Sequence, residues 1–356
     1  MDFLKKREVI KAIERKNPDF IPGCYSWFAK ETYSKYGKDL IKVQGNYIDD
    51  LIFFDYTLPE NFIESEEGKD EFYICCADKP DVFRKLSNLQ HDWLKIEKLI
   101  SNSPDPYSKD SFNSVKILRK KYPDSYLAGC WHATFFERLT SLRGEDFLND
   151  LYLERTEVEK LGWMLCDFFC DIVDCFSEVK MDGIFFSDDL GLPTSVAFDP
   201  ALFRKIFKPW YKKLFEKIKQ KNMHVMMHSC GCLWEIIPDL IDCGLDVLHF
   251  QPSVMDIKRL VKEFGKDLTF FGGIDVNNFL SKSTPEQVTS GILEMFKIMD
   301  RKNCGFISGP SNLIMPDTPF ENIVAMLDAM KKFSDRDFLN KVKFFDYFNQ
   351  KSFINN

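Results

Sequence analysis

Short apolar runs of β type recur along this chain and alternate with longer amphipathic stretches of helical spacing. The runs predict strands at Phe20–Cys24, Leu51–Phe54, Tyr126–Gly129, Gly183–Ser187, His224–His228, Val247–Phe250, Leu268–Gly272 and Gly305–Ser308. Strands separated by helices are joined by crossover connections and therefore run parallel. Eight such units close naturally into a (β/α)8 TIM barrel of the α/β class. No G-x-G-x-x-G follows the first run to favour an open doubly wound sheet. Helix starts support the register: Thr156-Glu157-Val158-Glu159 and Thr284-Pro285-Glu286-Gln287 fit capping boxes, and Asp199-Pro200 and Thr318-Pro319 place proline where a helix begins. Gly244 marks the end of a helix over Ile236–Cys243.

One stretch breaks the alternation. From Pro59 to Pro106 the chain is polar, aromatic and irregular, which predicts a loop insertion near residues 59–106 that covers part of the active face. Neither internal repeats nor a linker divide the rest, so a single domain is expected over residues 1–340, followed by a tail at 341–356.

Composition narrows the function classes. With 356 residues and 45% apolar side chains the chain can bury a large core, and its 35 phenylalanines match the heavy use of Lys, Asn and Ile that an AT-rich genome imposes. A net charge of −7 argues against a nucleic-acid partner. No apolar run is long enough to span a bilayer, and Met1-Asp2-Phe3-Leu4-Lys5-Lys6-Arg7 lacks the apolar segment of a leader, so no membrane association and a cytoplasmic location are expected. Eleven cysteines without regular spacing predict reduced thiols.

In a barrel of this kind the active site lies where the strands end. The ends carry Ser187-Asp188-Asp189, His228-Ser229-Cys230, His249-Phe250-Gln251, Gly272-Gly273-Ile274-Asp275 and Ser308-Gly309-Pro310-Ser311-Asn312. Tyr25 and Trp27 follow the first strand, and Cys130, Trp131 and His132 follow the third. His228 and Cys230 stand two positions apart, so in an extended chain they face one side, and imidazole and thiolate are the donors zinc prefers. A zinc site needs a third protein ligand. Asp188 and Asp189 are well placed for it, Cys232 requires the turn to fold back, and Cys304 precedes its strand and sits at the wrong rim. A helix cap or an ion pair is the competing reading of the two aspartates. His224 opens its strand and has a structural role, His91 lies in the insertion, and His132 and His249 are candidates to hydrogen-bond a substrate.

The chain resembles the uroporphyrinogen decarboxylase superfamily, and its cobalamin-dependent methyltransferase branch more than the haem-pathway decarboxylases. The resemblance rests on Phe136-Glu137-Arg138 with Leu142-Arg143-Gly144-Glu145, Asp182-Gly183-Ile184 with Asp188-Asp189, Phe207-Lys208-Pro209-Trp210-Tyr211, His228-Ser229-Cys230-Gly231 with Ile237-Pro238-Asp239-Leu240-Ile241, Gln251-Pro252, Gly272-Gly273-Ile274-Asp275 and the loop from Pro310 to Pro319. It implies a zinc bound by His228, Cys230 and a further cysteine downstream, which holds an acceptor thiol as thiolate, and a methyl group brought by a corrinoid on a partner protein. Where that cysteine is implied, the chain has Pro310-Ser311-Asn312. Resemblance to the haem-pathway decarboxylases implies an arginine-rich loop after the first strand, and it fails there: that loop reads Cys24-Tyr25-Ser26-Trp27-Phe28-Ala29-Lys30, with no arginine.

The resulting expectation is a barrel methyltransferase with zinc on His228 and Cys230, catalytic Asp188, Asp189 and His228, and a substrate pocket from Tyr25, Trp27, Trp131, His249, Gln251, Asp275 and Asn312. Its expected partners are a small-molecule substrate, a corrinoid protein and, as an option, a second copy in a homodimer. Two alternatives share the sequence: a metal-free carboxy-lyase with an aspartate as acid/base, and a non-catalytic corrinoid- or tetrapyrrole-binding protein.

Overall fold

In the computed structural model, which describes residues 6–55, 92–101 and 113–343, seven strands alternate with helices. They are β1 (Leu51–Asp55), β2 (Tyr126–Trp131), β3 (Gly183–Ser187), β4 (His224–Ser229), β5 (Val247–Phe250), β6 (Thr269–Ile274) and β7 (Gly305–Pro310). Seven of the eight expected strands are therefore present within two residues at either end. The chain divides into two compact units. A central unit comprises Phe53–Pro123 and Leu127–Leu245, and a terminal unit comprises Met1–Ile52, Asp124–Tyr126 and Asp246–Asn356.

In the central unit β2, β3 and β4 are parallel, with Cys130 opposite Phe185 and Phe185 opposite Met226. The alternate positions face the helices. Trp131 stacks 5.0 Å from Phe169 of helix Arg155–Glu178 and 5.6 Å from Phe186, and Phe186 lies 5.7 Å from Phe215 of helix Lys208–Gln220. Strands covered by helices on one face and buried on the other read as continuous apolar runs, which is why they were legible. Helix Arg155–Glu178 begins after Glu154, without the side-chain cap expected of Thr156, because its start abuts the preceding helix Phe147–Leu153. Asp199 does cap the turn Pro200–Leu202, accepting from the Ala201 amide at 2.8 Å. Gly244 ends helix Ile237–Cys243 in the left-handed conformation, at φ 107°.

In the terminal unit β5, β6 and β7 are parallel. The expected first strand is reduced to two isolated bridges, a parallel one from Gly23 to Ser308 of β7 and an antiparallel one from Phe20 to Asp335. Its bonds to β7 run from the Cys24 amide to the Ser308 carbonyl and from the Ser308 amide to the Pro22 carbonyl, both at 2.8 Å. Pro22 has no N–H to extend the ladder, and the Gly23 N–H is taken at 2.8 Å by the Asp50 carboxylate. Thr284 and Gln287 form the expected capping box on helix Pro285–Met299, whereas the last long helix, Phe320–Ser334, starts after Pro319 without a side-chain cap.

Most of the expected insertion at 59–106 lies outside the described residues. The part that is described, Trp93–Ser101, is a helix with Ile96 and Ile100 buried four positions apart rather than irregular chain. Of the expected tail, residues 344–356 lie outside the described set. No described helix is long and apolar enough to cross a membrane.

Candidate functional site

The loops that leave β3 and β4 in the central unit bring three unlike donors together. The Asp189 carboxylate, the His228 imidazole and the Cys230 thiol place one ligand atom each within 4.8 Å of the others. His228 Nε2 is 3.3 Å from Cys230 Sγ and 3.6 Å from Asp189 Oδ1. Zinc bound at about 2.0–2.3 Å by such donors holds tetrahedral neighbours roughly 3.3–3.8 Å apart, so these separations fit its coordination edges. The Asp189 side chain is 39% exposed and that of His228 12%, which leaves solvent or substrate a way in.

Backbone contacts hold the three in place. His228, next to last in β4, lies opposite Ser187, the last residue of β3. The Cys230 amide donates to Asp189 Oδ1 at 2.7 Å, the Gly191 amide to the Cys230 carbonyl at 3.2 Å, and the Cys232 amide to the Leu192 carbonyl at 2.8 Å. Gly231 turns the chain at φ 82°, and a Cβ there would stand 2.1 Å from the Gly191 carbonyl carbon. Gly191 is as tightly placed, since its own Cβ would meet the Cys232 nitrogen at 2.5 Å. The two glycines let the loops touch backbone to backbone, and that contact sets where Asp189 and Cys230 meet.

Asp188 corrects the expectation of a catalytic group. It is fully buried and accepts from the amides of Phe135, Phe136 and Glu137 at 2.8–2.9 Å and from the Tyr211 hydroxyl. Three of those donors are the otherwise unpaired amides at the start of helix Phe136–Arg143, so Asp188 is a cap supplied by a neighbouring strand. Burial raises its pKa against the four hydrogen bonds that favour the charged form. Glu137 has its carboxyl pushed up to about 8, first by burial and then by the charges of Asp188 and Asp189, and its Oε2 accepts from the Ser187 hydroxyl at 3.4 Å. No strand-end argument singled out Glu137. Its only signal was its place in Phe136-Glu137-Arg138.

Trp131 is also corrected. Fully buried between Phe169 and Phe186, with its Nε1 donating to Thr134 Oγ1 at 3.1 Å, it is a core residue. The alternation along β2 decides this: Trp131 falls on the helix side, Cys130 on the other. Cys232 is buried, and the three-ligand cluster forms without it.

The remaining expected pocket residues belong to the terminal unit. Trp27 is half-buried, edge-on to His249 at 4.8 Å and tilted against Phe271 at 5.2 Å, and Gln251 beyond β5 is half-buried too. His249 is fully buried, with Nε2 2.9 Å from the Pro310 carbonyl, a structural bond rather than a substrate contact. Tyr25 is buried against Tyr47, centroids 5.9 Å apart. Asp275 caps the turn Val276–Leu280 through the amides of Asn277 and Asn278 at 2.9 and 3.1 Å, a structural use of its carboxylate. Asn312 is exposed beyond β7 and accepts from the Leu313 amide at 2.7 Å.

Comparisons with known proteins agree with this architecture. Uroporphyrinogen decarboxylase of Chlamydia muridarum is 25% identical over 151 residues, 42% of this chain and 42% of that protein. Methylated-thiol–coenzyme M methyltransferase of Methanosarcina mazei is 26% identical over 130 residues, 36% of this chain and 33% of that protein. The chain thus aligns with less than half the length of either relative. Among solved structures, a methyltransferase from Methanosarcina mazei shares the fold with a TM-score of 0.60 at 16% identity, over 93% of this chain and 99% of that one. The uroporphyrinogen decarboxylase (URO-D) family model matches residues 83–333, a span that takes in β2 through β7 with the Asp189, His228 and Cys230 cluster, and the chain belongs to that family.

Proposed function

We propose that this protein is a zinc-dependent methyltransferase of the (β/α)8 barrel type, a single cytoplasmic catalytic domain that moves a methyl group from a corrinoid protein or a small methylated donor to a thiol. The observation that carries the reading is the convergence of Asp189, His228 and Cys230 at the ends of β3 and β4. Nitrogen, sulfur and oxygen donors in that set suit zinc, and three protein ligands leave a fourth position for substrate. Asp189 takes the place of the cysteine that the family resemblance implied downstream. Bound there, zinc would stabilise the thiolate form of an acceptor thiol, the nucleophilic form. Asp189 and Cys230 are set by their own loop contacts, and His228 by the end of β4. On this reading substrate enters beside Asp189, whose side chain is partly exposed. Support also comes from the relative whose name specifies methyl transfer with a methylated thiol and coenzyme M.

Metal analysis of protein purified without oxygen tests this directly. About one zinc per chain, lost in Cys230→Ala and weakened in Asp189→Asn, is the expected result. Failure to take up zinc on reconstitution rejects the proposal.

A second reading is a metal-free carboxy-lyase, favoured by one observation. Glu137, with its carboxyl pushed up to about 8, stays protonated at neutral pH and has the form of a general acid. Turnover that persists in zinc-free protein and disappears in Glu137→Gln would select this reading over the first.

A further inference from the structure

Position 132 comes level with His228 by the register of the sheet. Trp131 pairs with Phe186, so the next residue of the chain lies beside Ser187, which itself pairs with His228. The Ala133 amide donates to the Ser187 hydroxyl at 3.1 Å and the Thr134 amide to the Ser187 carbonyl at 3.0 Å, which continues the alignment past the end of β2. Paired positions in parallel strands face the same way, and the helix side is taken by Trp131 and Phe186. His132, Ser187 and His228 therefore form a row on the opposite face, with the two histidine backbones about 10 Å apart at ordinary strand spacing.

Beneath this row, one step back along each strand on the same face, stand Cys130, Phe185 and Met226, at 3%, 2% and 0% exposure. They are buried, uncharged side chains, with the sulfurs of Cys130 and Met226 on either side of the Phe185 ring. The turn carrying His132 is held at a cost in backbone strain. Ala133 sits at φ 56°, which a residue with a Cβ rarely adopts. Arg138, 2% exposed, donates from Nε to the Ala133 carbonyl at 3.1 Å and from Nη2 to the His132 carbonyl at 2.9 Å. A buried arginine spent on the carbonyls of a strained turn fixes that turn in one conformation, and strain maintained in this way collects at functional sites.

We infer that His132 is a further catalytic residue of this site, contacting the acceptor thiol from the β2 side and taking its proton. The inference rests on the methyl-transfer reading and adds to it a proton acceptor. In the step, the thiol proton passes to an imidazole nitrogen of His132. The sulfur electron pair forms the new bond to the methyl carbon, and the bond from that carbon to the donor breaks with its pair remaining on the donor. His132 returns the proton to solvent when the thioether leaves. Imidazole is the side chain best suited to accept and release a proton near neutral pH. The Ser187 hydroxyl donates to Glu137 Oε2 at 3.4 Å, and His132 Nε2 lies 3.9 Å from the Cys130 thiol, which puts the imidazole on the same side of β2 as Cys130.

The test uses the zinc-loaded full chain and its His132→Gln and His132→Ala variants, with 2-mercaptoethanol as thiol and methylcobalamin as methyl donor. Zinc content is measured first and is expected to be unchanged in both variants. Thiol binding in weak buffer with a pH indicator should release well under one proton per site from the wild type and close to one from His132→Gln. The kcat should fall by roughly a hundredfold with a smaller change in the KM for thiol. Added imidazole should restore part of the rate of His132→Ala, an effect that a purely structural role would not give. Wild-type proton release and kcat in His132→Gln, or a zinc-loaded His132→Ala indifferent to imidazole, overturns the inference and leaves the zinc reading intact. Absence of zinc from the wild type overturns both.

Discussion

The carboxylates of Asp188 and Asp189, neighbours in sequence, are engaged in different ways. Asp188 caps helix Phe136–Arg143 from inside the core, whereas Asp189 meets His228 and Cys230 at a partly open site. Asp188→Ala should therefore lower stability by roughly 3 kcal/mol, by leaving buried amides unpaired, with the loss read by urea unfolding. Asp189→Ala should leave the stability of the zinc-free protein within about 0.5 kcal/mol of zinc-free wild type while it abolishes zinc uptake, read by the same unfolding curve with a chelator present and by metal analysis. Asp50 gives a pH signature. Its carboxyl is raised to about 7, first by burial and with a smaller push from Asp49, against the Gly23 amide and Lys331, which favour the charged form. A carboxyl raised on folding stabilises the fold while protonated, so this contribution is complete below about pH 4 and is lost as the pH rises to about 7 and beyond. Asp50→Asn should accordingly raise Tm more at pH 8 than at pH 5, measured by thermal melts at both.

At the scale of elements, the loops after β3 and β4 act as one piece because Gly191 and Gly231 meet backbone to backbone. Gly231→Ala would have to push the Gly191 carbonyl aside and hold alanine at φ 82°. A loss of about 2 kcal/mol or more is expected, with zinc affinity falling although no ligand is changed. Calorimetric titration with zinc measures the second effect, and wild-type affinity in the variant would show that the loop contact does not set the ligand geometry. Strand positions were readable because buried parallel strands leave continuous apolar runs. The weak first strand was not, since Phe20-Ile21-Pro22-Gly23-Cys24 has the composition of a strand but lacks an N–H at Pro22 and diverts that of Gly23 to Asp50. Trp131 was misread for a related reason: a strand end offers both faces, and only packing against Phe169 shows which one it occupies.

For the whole molecule, a metal bound by the folded state and not by the unfolded one adds to stability by mass action. At a free zinc concentration a hundred times the Kd this amounts to about 2.7 kcal/mol. Thermal melts should show a zinc-dependent rise in Tm for the wild type and none for Cys230→Ala. A rise of equal size in the variant would place the stabilising metal elsewhere. This linkage also separates the central unit, which contains all three ligands, from the terminal unit, whose amide hydrogen exchange should respond less to zinc.

Taken alone, the sequence determined the succession of parallel strands and helices, because apolar periodicity and the capping signals at Asp199 and Thr284 act over short distances. It also determined that His228 and Cys230 leave a strand end together, since that follows from a two-residue spacing. Only the tertiary structure decided which aspartate joins them. Asp188 and Asp189 are the same residue type at adjacent positions, and their roles differ through contacts made by residues some fifty positions away in the chain, at the start of helix Phe136–Arg143, and some forty positions away in the loop after β4. The burial of Trp131 and the fixing of His132 by Arg138 are of the same kind, set by close packing between segments that sequence spacing does not relate.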